Sequence, residues 1–295
     1  MIVVIVGPTA VGKTKLSIEL AKKLNGEIIN SDSTQVYKGL DIATAKVTEE
    51  EKQDIVHHLI DIKDITQDYT LFDYQKDCRK KIREIKDKNK IPIIVGGSGL
   101  YIKAALYQYD LKEEDKKEED CNLSTDQLYA KLLKIYPETK IHKNNRKRIL
   151  RSLNYYDQHH EILEENKTGD QLFYDDIIWI GLTTKREILY QKINHRVDQM
   201  LEDGLMEEAK NLYQQNIRTK AVMTPIGYKE LFEYFDHHIT KEEAIELIKQ
   251  RCRRYAKRQY TWFLNKMNIT WFDTDYENFD NTIQEVLKYI NNFYE

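Results

Sequence analysis

Eight consecutive residues near the start of the chain have the composition and spacing of a phosphate-binding loop. They match the pattern G-x-x-x-x-G-K-S/T and read Gly7, Pro8, Thr9, Ala10, Val11, Gly12, Lys13 and Thr14. In such a loop the backbone N–H groups and the N-terminus of the following helix point at a phosphate, and the lysine reaches its terminal oxygens. The threonine hydroxyl is suited to binding Mg²⁺. The run predicts a polyphosphate site with Lys13 as its cation and Thr14 as its metal ligand; a purely structural glycine-rich turn is the alternative.

Two polar residues that follow strand-like runs could act on a molecule held by the phosphate loop. Asp32 comes shortly after residues 27–30, and Ser98 lies in the glycine-flanked sequence after residues 91–95. The carboxyl ends of parallel strands meet at one edge of a sheet, so we expect both side chains to face the crevice that contains the phosphate loop. There Asp32 could take a proton as a general base. A turn aspartate and a turn serine are the alternatives.

The phosphate loop does not by itself identify the compound that carries the phosphate. ATPases and GTPases normally place a magnesium-binding aspartate after a second apolar strand. Here residues 91–95 are followed by glycines instead, and Asp61 after two apolar residues is only a weak substitute. Nucleotide hydrolysis is therefore poorly supported, whereas a small-molecule or nucleoside kinase that uses the same loop stays an alternative.

Two basic segments contrast with a chain whose net charge is −3. Such runs are often solvated helix faces, but aromatic residues between the cations of the second segment favour contacts with an RNA backbone. The first segment contains Lys143, Arg146, Lys147, Arg148 and Arg151; the second contains Lys249, Arg251, Arg253, Arg254, Lys257 and Arg258, interleaved with Tyr255, Tyr260 and Trp262.

The order of apolar runs and helical periodicity predicts an α/β fold. Strand-like runs at residues 2–6, 27–30, 91–95 and 177–182 alternate with helical spacing, which is typical of a doubly wound parallel sheet. The P-loop core would comprise residues 1–107 and 176–295, including the C-terminal helices. Residues 124 to about 165 have helical periodicity and no strand signal, and the strand pattern resumes at 177, so residues 108–175 are predicted to form an inserted all-helical domain.

Composition narrows the class of protein further. A hydrophobic content of 41% in 295 residues is enough for a packed core and excludes a wholly disordered chain. The mean hydropathy of −0.68 and the lack of a long apolar run exclude a membrane span. The three cysteines form no C-x-x-C pair, which argues against a disulfide scaffold or a zinc site. We expect a cytoplasmic protein without membrane association, and no feature requires an oligomer, so we expect a monomer.

Taken together, several sequence blocks resemble the bacterial tRNA dimethylallyltransferases, also called tRNA isopentenyltransferases. The resemblance covers nearly the whole chain and is most specific where three blocks occur in order. These are D-S-x-Q-V-Y at residues 32–37, G-G-S-G-L-Y at 96–101 and A-K-R-Q-x-T-W-F at 256–263.

The resemblance implies transfer of a dimethylallyl group from dimethylallyl diphosphate to N6 of the adenosine immediately 3′ of the tRNA anticodon. Residues 7–14 would bind the diphosphate with Mg²⁺, Asp32 would be the general base, and Ser98 would supply a supporting hydroxyl. The inserted domain would grip the anticodon stem-loop. The implied RNA contacts are Asp32, Ser33, Thr34, Gln35, Lys147, Arg148, Arg151, Gly227, Tyr228, Lys229, Arg253, Arg254, Lys257, Arg258 and Gln259.

The chain departs from the usual family pattern at a few positions. Ser98 stands where threonine is usual, Ala43 replaces a glycine, and Asn145 replaces an aspartate. Ser98 keeps the hydroxyl but has a less restricted rotamer than threonine. Besides a kinase, the open alternatives are a non-catalytic RNA-binding switch and an enzyme that prenylates free adenine nucleotides.

Overall fold

The computed structural model describes residues 1–109, 111–113, 122–163 and 168–293. The chain divides into two compact units, one formed by Met1–Leu106 with Phe173–Glu295 and the other by Tyr107–Leu172. Cys121 lies outside the described residues, and Cys78 and Cys252 are free thiols. Among the described helices, none has the length and apolar composition that a membrane crossing requires.

Eight strands occur in the described residues. Six of them form one parallel sheet with the order β3-β2-β4-β1-β7-β8, and the other two form a separate antiparallel pair, β5-β6. The strands are β1 (Ile2–Val6), β2 (Gly26–Asn30), β3 (His57–His58), β4 (Ile91–Val95), β5 (Tyr107–Tyr109), β6 (Thr168–Leu172), β7 (Ile177–Thr183) and β8 (Thr270–Asp273).

Twelve helices occur in the same described residues. They are α1 (Lys13–Leu24), α2 (Glu49–Lys52), α3 (Leu71–Asp87), α4 (Gly99–Leu106), α5 (Thr125–Ile135), α6 (Arg146–His159), α7 (Arg186–Glu202), α8 (Leu205–Gln214), α9 (Lys220–Met223), α10 (Tyr228–Phe235), α11 (Lys241–Lys266) and α12 (Phe279–Asn291).

The parallel sheet confirms the predicted α/β fold class. Strand β1 is a run of isoleucine and valine that is buried throughout, as expected for a central strand covered on both faces. Leu16 and Leu20 of α1 join Phe279 and Ile283 of α12 in the core that includes β1. Because β1 and β2 both pair with β4, the carboxyl ends of these three strands lie side by side. These ends lead into the phosphate loop, Asp32 and Ser98.

The smaller unit contains a packed helix pair and a two-stranded sheet. Leu128 and Leu132 of α5 are buried with Ile149 and Leu153 of α6. Helix α5 begins at a capping box, in which the Ser124 hydroxyl accepts a hydrogen bond from the Gln127 N–H. The sequence predicted helices alone here, so the antiparallel pair β5-β6 is a correction. A three-residue strand is too short to show alternation, and its partner lies some 60 residues downstream, beyond the reach of any local sequence window.

The buried carboxylate of Glu27 on β2 is held by three nitrogen groups. It is 2% exposed, His58 Nε2 lies 2.7 Å from its Oε2, and Lys90 and Lys88 donate to it at 2.9 and 3.2 Å. Burial alone would raise the pKa of Glu27, but the hydrogen bonds from His58, Lys90 and Lys88 outweigh it and lower the pKa to about 2. The ionised form is therefore the one that the fold stabilises.

Replacing Glu27 by glutamine is expected to lower the free energy of unfolding at pH 7 by about 1–3 kcal/mol, because His58, Lys88 and Lys90 lose a charged acceptor at a buried position. The folded pKa lies below the unfolded value of 4.5, so this contribution is present above pH 4.5 and is lost as the pH falls towards 2. Urea unfolding of both proteins between pH 7 and 3 measures the difference. A difference independent of pH would contradict the assignment, and Glu19→Gln, at a half-exposed i,i+3 pair with Lys22, is the control.

Candidate active site

The phosphate loop connects β1 to α1, and two of its glycines are required by close contacts. Gly7 has φ +142°, and a Cβ there would lie 2.5 Å from the Leu182 carbonyl oxygen of β7. Gly12 has φ +95°, and a Cβ there would lie 2.6 Å from the Phe279 ring of α12. Any larger residue would force the loop away from the sheet or from α12. The helix begins at Lys13, so its unpaired N–H groups open into the loop.

Lys13 lies beside a second half-buried cation, Arg196 of α7. Its Nζ donates to the carbonyl oxygens of Gly7 at 3.0 Å and Pro8 at 2.7 Å. Burial and the neighbouring Arg196 guanidinium lower the pKa of Lys13 to about 7, and the charge of Asp32 opposes this shift. Two cations crowded into a desolvated loop favour the binding of a polyanion, because an anion would relieve their mutual repulsion.

Arg196 is a functional candidate that the sequence reasoning did not single out. It lies on α7, its Nη1 donates to the Thr9 hydroxyl at 3.2 Å, and its Nη2 lies 3.5 Å from the Ala45 carbonyl oxygen. Burial lowers the pKa of its guanidinium. A signal was present in the sequence: Arg196 falls three residues after Ile193 and so lies near the apolar face of its helix, where an arginine is uncommon unless it has a partner.

Asp32 follows β2 and is oriented by its own turn. Its Oδ1 accepts hydrogen bonds from the Thr34 N–H at 2.9 Å and the Thr34 hydroxyl at 2.6 Å, and its N–H donates to Asn30 Oδ1 at 3.1 Å. Within the described part of the chain no group donates to Oδ2, so that oxygen is available to accept a proton. Because β1 and β2 flank β4 in the sheet, the turn of Asp32 lies at the same edge as the phosphate loop. The charge of Asp32 opposes the lowering of the pKa of both Lys13 and Arg196.

Three glycines around Ser98 allow neighbouring elements to approach closely. A Cβ on Gly96 would lie 2.2 Å from the Ser31 carbonyl oxygen, and one on Gly99 would lie 2.1 Å from the Trp262 ring of α11. Ser98 donates its N–H to the Ser31 carbonyl at 3.3 Å, and its Oγ accepts from the Ser33 N–H at 3.4 Å. The end of β4 is thereby joined to the turn that carries Asp32.

Gln259 of α11 links the phosphate loop to the glycine-rich turn after β4. Its Oε1 accepts from the Thr9 N–H at 2.9 Å, and its Nε2 donates to the Gly97 carbonyl at 3.2 Å. Tyr255, one helical turn earlier, lies beside Ser98 and Gln259, and burial raises the pKa of its hydroxyl. The resemblance had implied an RNA contact at Gln259, whereas the structure buries this side chain between the two loops.

The other residues implied as RNA contacts differ in their exposure and in the hydrogen bonds that they make. Arg253 donates to Asn194 Oδ1 at 2.6 Å and to Glu246 Oε1 at 2.9 Å. Gln35 donates its side-chain amide to the carbonyls of Thr44 and Ala45 at 3.0 and 3.1 Å. The exposed residues are Arg254, Lys257 and Arg258 on α11, Lys229 on α10, and Lys147, Arg148 and Arg151 on α6; Ser33 and Thr34 are half-buried.

Two further residues implied as RNA contacts lie inside the larger unit. Tyr228 is fully buried, and its hydroxyl donates to Glu208 Oε1 at 2.7 Å. Gly227 has φ +131°, and its N–H donates to the buried Glu230 carboxylate at 2.7 Å. These two residues are therefore placed to hold the fold together, and a contact with a large ligand at this position would fall on the exposed Lys229.

Comparisons with known proteins agree with this arrangement. Residues 35–266 match the sequence model of the IPP transferase family. A tRNA dimethylallyltransferase of Anoxybacillus flavithermus is 49% identical over 302 aligned positions, covering 98% of this chain and 96% of the relative. One from Bacillus subtilis is 47% identical and covers 92% of this chain and 90% of the relative.

Solved structures are also similar along nearly the whole chain. The crystal structure of a tRNA isopentenylpyrophosphate transferase from Bacillus halodurans has a TM-score of 0.77 and 44% identity, covering 99% of this chain and 95% of that one. A eukaryotic dimethylallyltransferase acting on tRNA has a TM-score of 0.88 and 33% identity, covering 99% of this chain and 79% of that one. These matches confirm the resemblance drawn from the sequence blocks. The chain belongs to the IPP transferase family.

Proposed function

We propose that the protein transfers the dimethylallyl group of dimethylallyl diphosphate to N6 of the adenosine that follows the tRNA anticodon, releasing diphosphate. One observation carries the proposal: β1 and β2 both pair in parallel with β4, which brings the phosphate loop with Lys13 and the turn with Asp32 to the same edge of the sheet. This arrangement supplies a proton acceptor and an anion site next to each other, as the reaction requires. The relatives named above give the chemical class of the reaction.

The phosphate loop is suited to a departing diphosphate. As the allylic carbon–oxygen bond breaks, negative charge builds up on the leaving oxygens, and cations fixed beforehand stabilise that charge without reorganising. Lys13, Arg196 and the N–H groups at the start of α1 supply this positive potential. The same groups that would bind a nucleotide phosphate therefore support alkyl transfer without ATP.

The acceptor amine needs a base because an amino group conjugated to a purine is a weak nucleophile. Oδ2 of Asp32 would take the proton, while Thr34 holds Oδ1 in place. The adenine has to leave its stack to reach the end of the sheet, and hydroxyls such as those of Ser98 and Tyr255 can hydrogen-bond to an extruded base. Transfer forms the C–N bond, breaks the C–O bond and leaves the proton on the carboxylate.

Magnesium fits the residues present. In the described part of the chain no cluster of three carboxylate, histidine or cysteine side chains could hold a metal ion. Mg²⁺ often binds through one or two protein oxygens together with substrate phosphates, so the exposed hydroxyl of Thr14 at the start of α1 is a suitable protein ligand. Bound there with the donor, the ion would neutralise charge on the diphosphate.

Mass spectrometry of an unmodified anticodon stem-loop incubated with the protein, Mg²⁺ and dimethylallyl diphosphate tests the proposal. We expect the RNA to gain the mass of one prenyl unit at the adenosine 3′ of the anticodon. Free AMP in place of RNA is expected to remain unmodified, and ATP is expected to transfer no phosphoryl group. An unmodified stem-loop, or prenylation of AMP alone, would contradict the proposed function.

That the protein acts in the cytoplasm and as a monomer stays a prediction.

Arg254 and Lys257, two exposed cations on α11, are expected to contact RNA phosphates. Replacing both by alanine should weaken stem-loop binding and reduce the slope of log Kd against log salt by about 0.7–0.9 per lost contact. Filter binding at several salt concentrations measures this slope. Lys241→Ala, roughly 20 Å away at the start of the same helix, is the control and should leave the slope unchanged. An unchanged slope in the double variant would remove α11 from the RNA interface.

A further inference from the structure

Glu208 on α8 makes an unusual number of hydrogen bonds to one short loop, residues 41–45, termed here the 41–45 loop. Its carboxylate accepts from the backbone N–H groups of three consecutive residues: Asp41 at 2.9 Å, Ile42 at 2.9 and 3.2 Å, and Ala43 at 3.1 Å. The Tyr228 hydroxyl donates to the same carboxylate at 2.7 Å. Three successive N–H groups turned to one side form a concave anion site, and here the protein's own side chain fills it.

Two backbone carbonyl groups of the 41–45 loop face the turn that belongs to the candidate active site. The carbonyls of Thr44 and Ala45 accept the side-chain amide of Gln35 at 3.0 and 3.1 Å. Gln35 belongs to the turn after β2 and is three residues from Asp32. Glu208 therefore fixes a loop whose opposite edge holds the segment that carries the proposed base.

The part of the site that would bind the diphosphate of the prenyl donor depends less on the 41–45 loop. Arg196 reaches the Ala45 carbonyl only at 3.5 Å, and it also donates to the Thr9 hydroxyl at 3.2 Å. Lys13 is anchored by carbonyls of the phosphate loop itself. Displacing the 41–45 loop would remove both hydrogen bonds to Gln35 but only the longer of the two contacts that Arg196 makes to Thr9 and Ala45. The acceptor side should therefore be disturbed more than the diphosphate side.

We propose that Glu208 is a positioning residue for the RNA acceptor: through the 41–45 loop and Gln35 it sets the place of the turn that carries Asp32. It touches neither substrate and is not catalytic. The negative charge matters as well as the shape. A glutamine at this position would keep one acceptor oxygen but would turn an NH₂ group towards backbone N–H donors, so the loop could not keep all of its bonds.

The test rests on the proposed function and uses steady-state kinetics with the stem-loop and dimethylallyl diphosphate. For Glu208→Gln we expect kcat/KM for the stem-loop to fall at least tenfold, with a raised KM for RNA. The KM for dimethylallyl diphosphate should change less than about threefold, because Arg196 keeps its hydrogen bond to Thr9. A substitution that leaves the contacts to the donor in place should leave the KM for the donor nearly unchanged. Tyr228→Phe removes one of the bonds to Glu208 and should give an intermediate loss. Glu207→Gln, at the exposed neighbouring position, is the matched control.

The outcomes separate this inference from the proposed function. No prenylation by the wild-type protein would overturn the proposed function itself. Wild-type kinetics in folded Glu208→Gln, or equal increases in KM for RNA and donor, would overturn the positioning role of Glu208. A lowered melting temperature with unchanged kinetics would also overturn it, because it would assign the carboxylate to stability alone. Should Glu208→Gln fail to fold, the kinetics of Tyr228→Phe decide by the same criteria.

Discussion

Replacing Asp32 by alanine is expected to lower kcat for prenyl transfer by at least about 10²-fold while leaving the affinity for RNA nearly unchanged. The carboxylate accepts from Thr34 through Oδ1, and Oδ2 is the oxygen proposed to take the proton of the acceptor amine. Alanine removes this proposed proton acceptor, whereas the cations proposed to bind RNA phosphates stay in place. Single-turnover kinetics with saturating substrates, together with a binding titration, separate the two effects.

A matched control for this variant exists within the chain. Asp64 forms the same local turn as Asp32: its Oδ1 accepts from the Thr66 N–H at 3.0 Å and the Thr66 hydroxyl at 2.8 Å. These hydrogen bonds lower the pKa of Asp64, which is fully exposed to solvent. Asp64→Ala therefore reports the loss of such a turn without a catalytic group, and normal kcat is expected. Equal losses of kcat and RNA affinity in Asp32→Ala would contradict the role of a base.

The residues that lie at strand ends were the ones that sequence could place. A parallel sheet brings the carboxyl ends of its strands together, so the positions of Asp32 and Ser98 relative to the phosphate loop followed from three apolar runs alone. The structure joins the turns of these residues through the bonds of Ser98 to Ser31 and Ser33. Local pattern and a general rule of topology were sufficient here.

The residues that reach the site from helices could not be placed in this way. Arg196 and Gln259 lie far downstream of the phosphate loop, and their approach to Thr9 depends on how α7 and α11 pack on the sheet. Periodicity gives the apolar face of a helix but not the partner that a polar side chain meets on it. The resemblance implied an RNA contact at Gln259, and only the packing of α11 shows that this side chain is buried between two loops.

Glycine positions show a related limit. Gly96 and Gly99 lie outside the left-handed region of backbone conformation. Glycine is required at these positions because a Cβ would clash with Ser31 or Trp262. A glycine-rich sequence indicates that a neighbouring group packs closely against the backbone, but only the structure shows which group it is. Helix α4 begins at Gly99 itself, and the sequence analysis did not predict a helix in this glycine-rich segment.

Replacing Lys13 by alanine is expected to lower kcat/KM for dimethylallyl diphosphate by about 10²- to 10³-fold, the loss typical of removing one fixed group that stabilises charge in a transition state. Lys13 is held within the phosphate loop beside Arg196. A mobile cation from solution would not be fixed in the same orientation and so could not replace it. Lys15→Ala is the control, because Lys15 lies two residues further along α1, exposed and over the Phe279 ring. Initial rates at low donor concentration measure the effect.

The lowered pKa of Lys13 adds a pH dependence that distinguishes this role from simple attraction. The ammonium titrates near pH 7 in the free protein, and a bound anion would raise that pKa, so binding favours the protonated form. Above pH 7 the wild-type protein must take up a proton to bind, and its advantage over Lys13→Ala should shrink by up to about tenfold per pH unit. Titration calorimetry of both proteins with inorganic diphosphate between pH 6 and 9 measures the ratio of their dissociation constants, in which the titration of the ligand itself cancels. A ratio that stays constant over this range would mean that Lys13 is already charged throughout, and that crowding of two cations is not what draws the diphosphate into the loop.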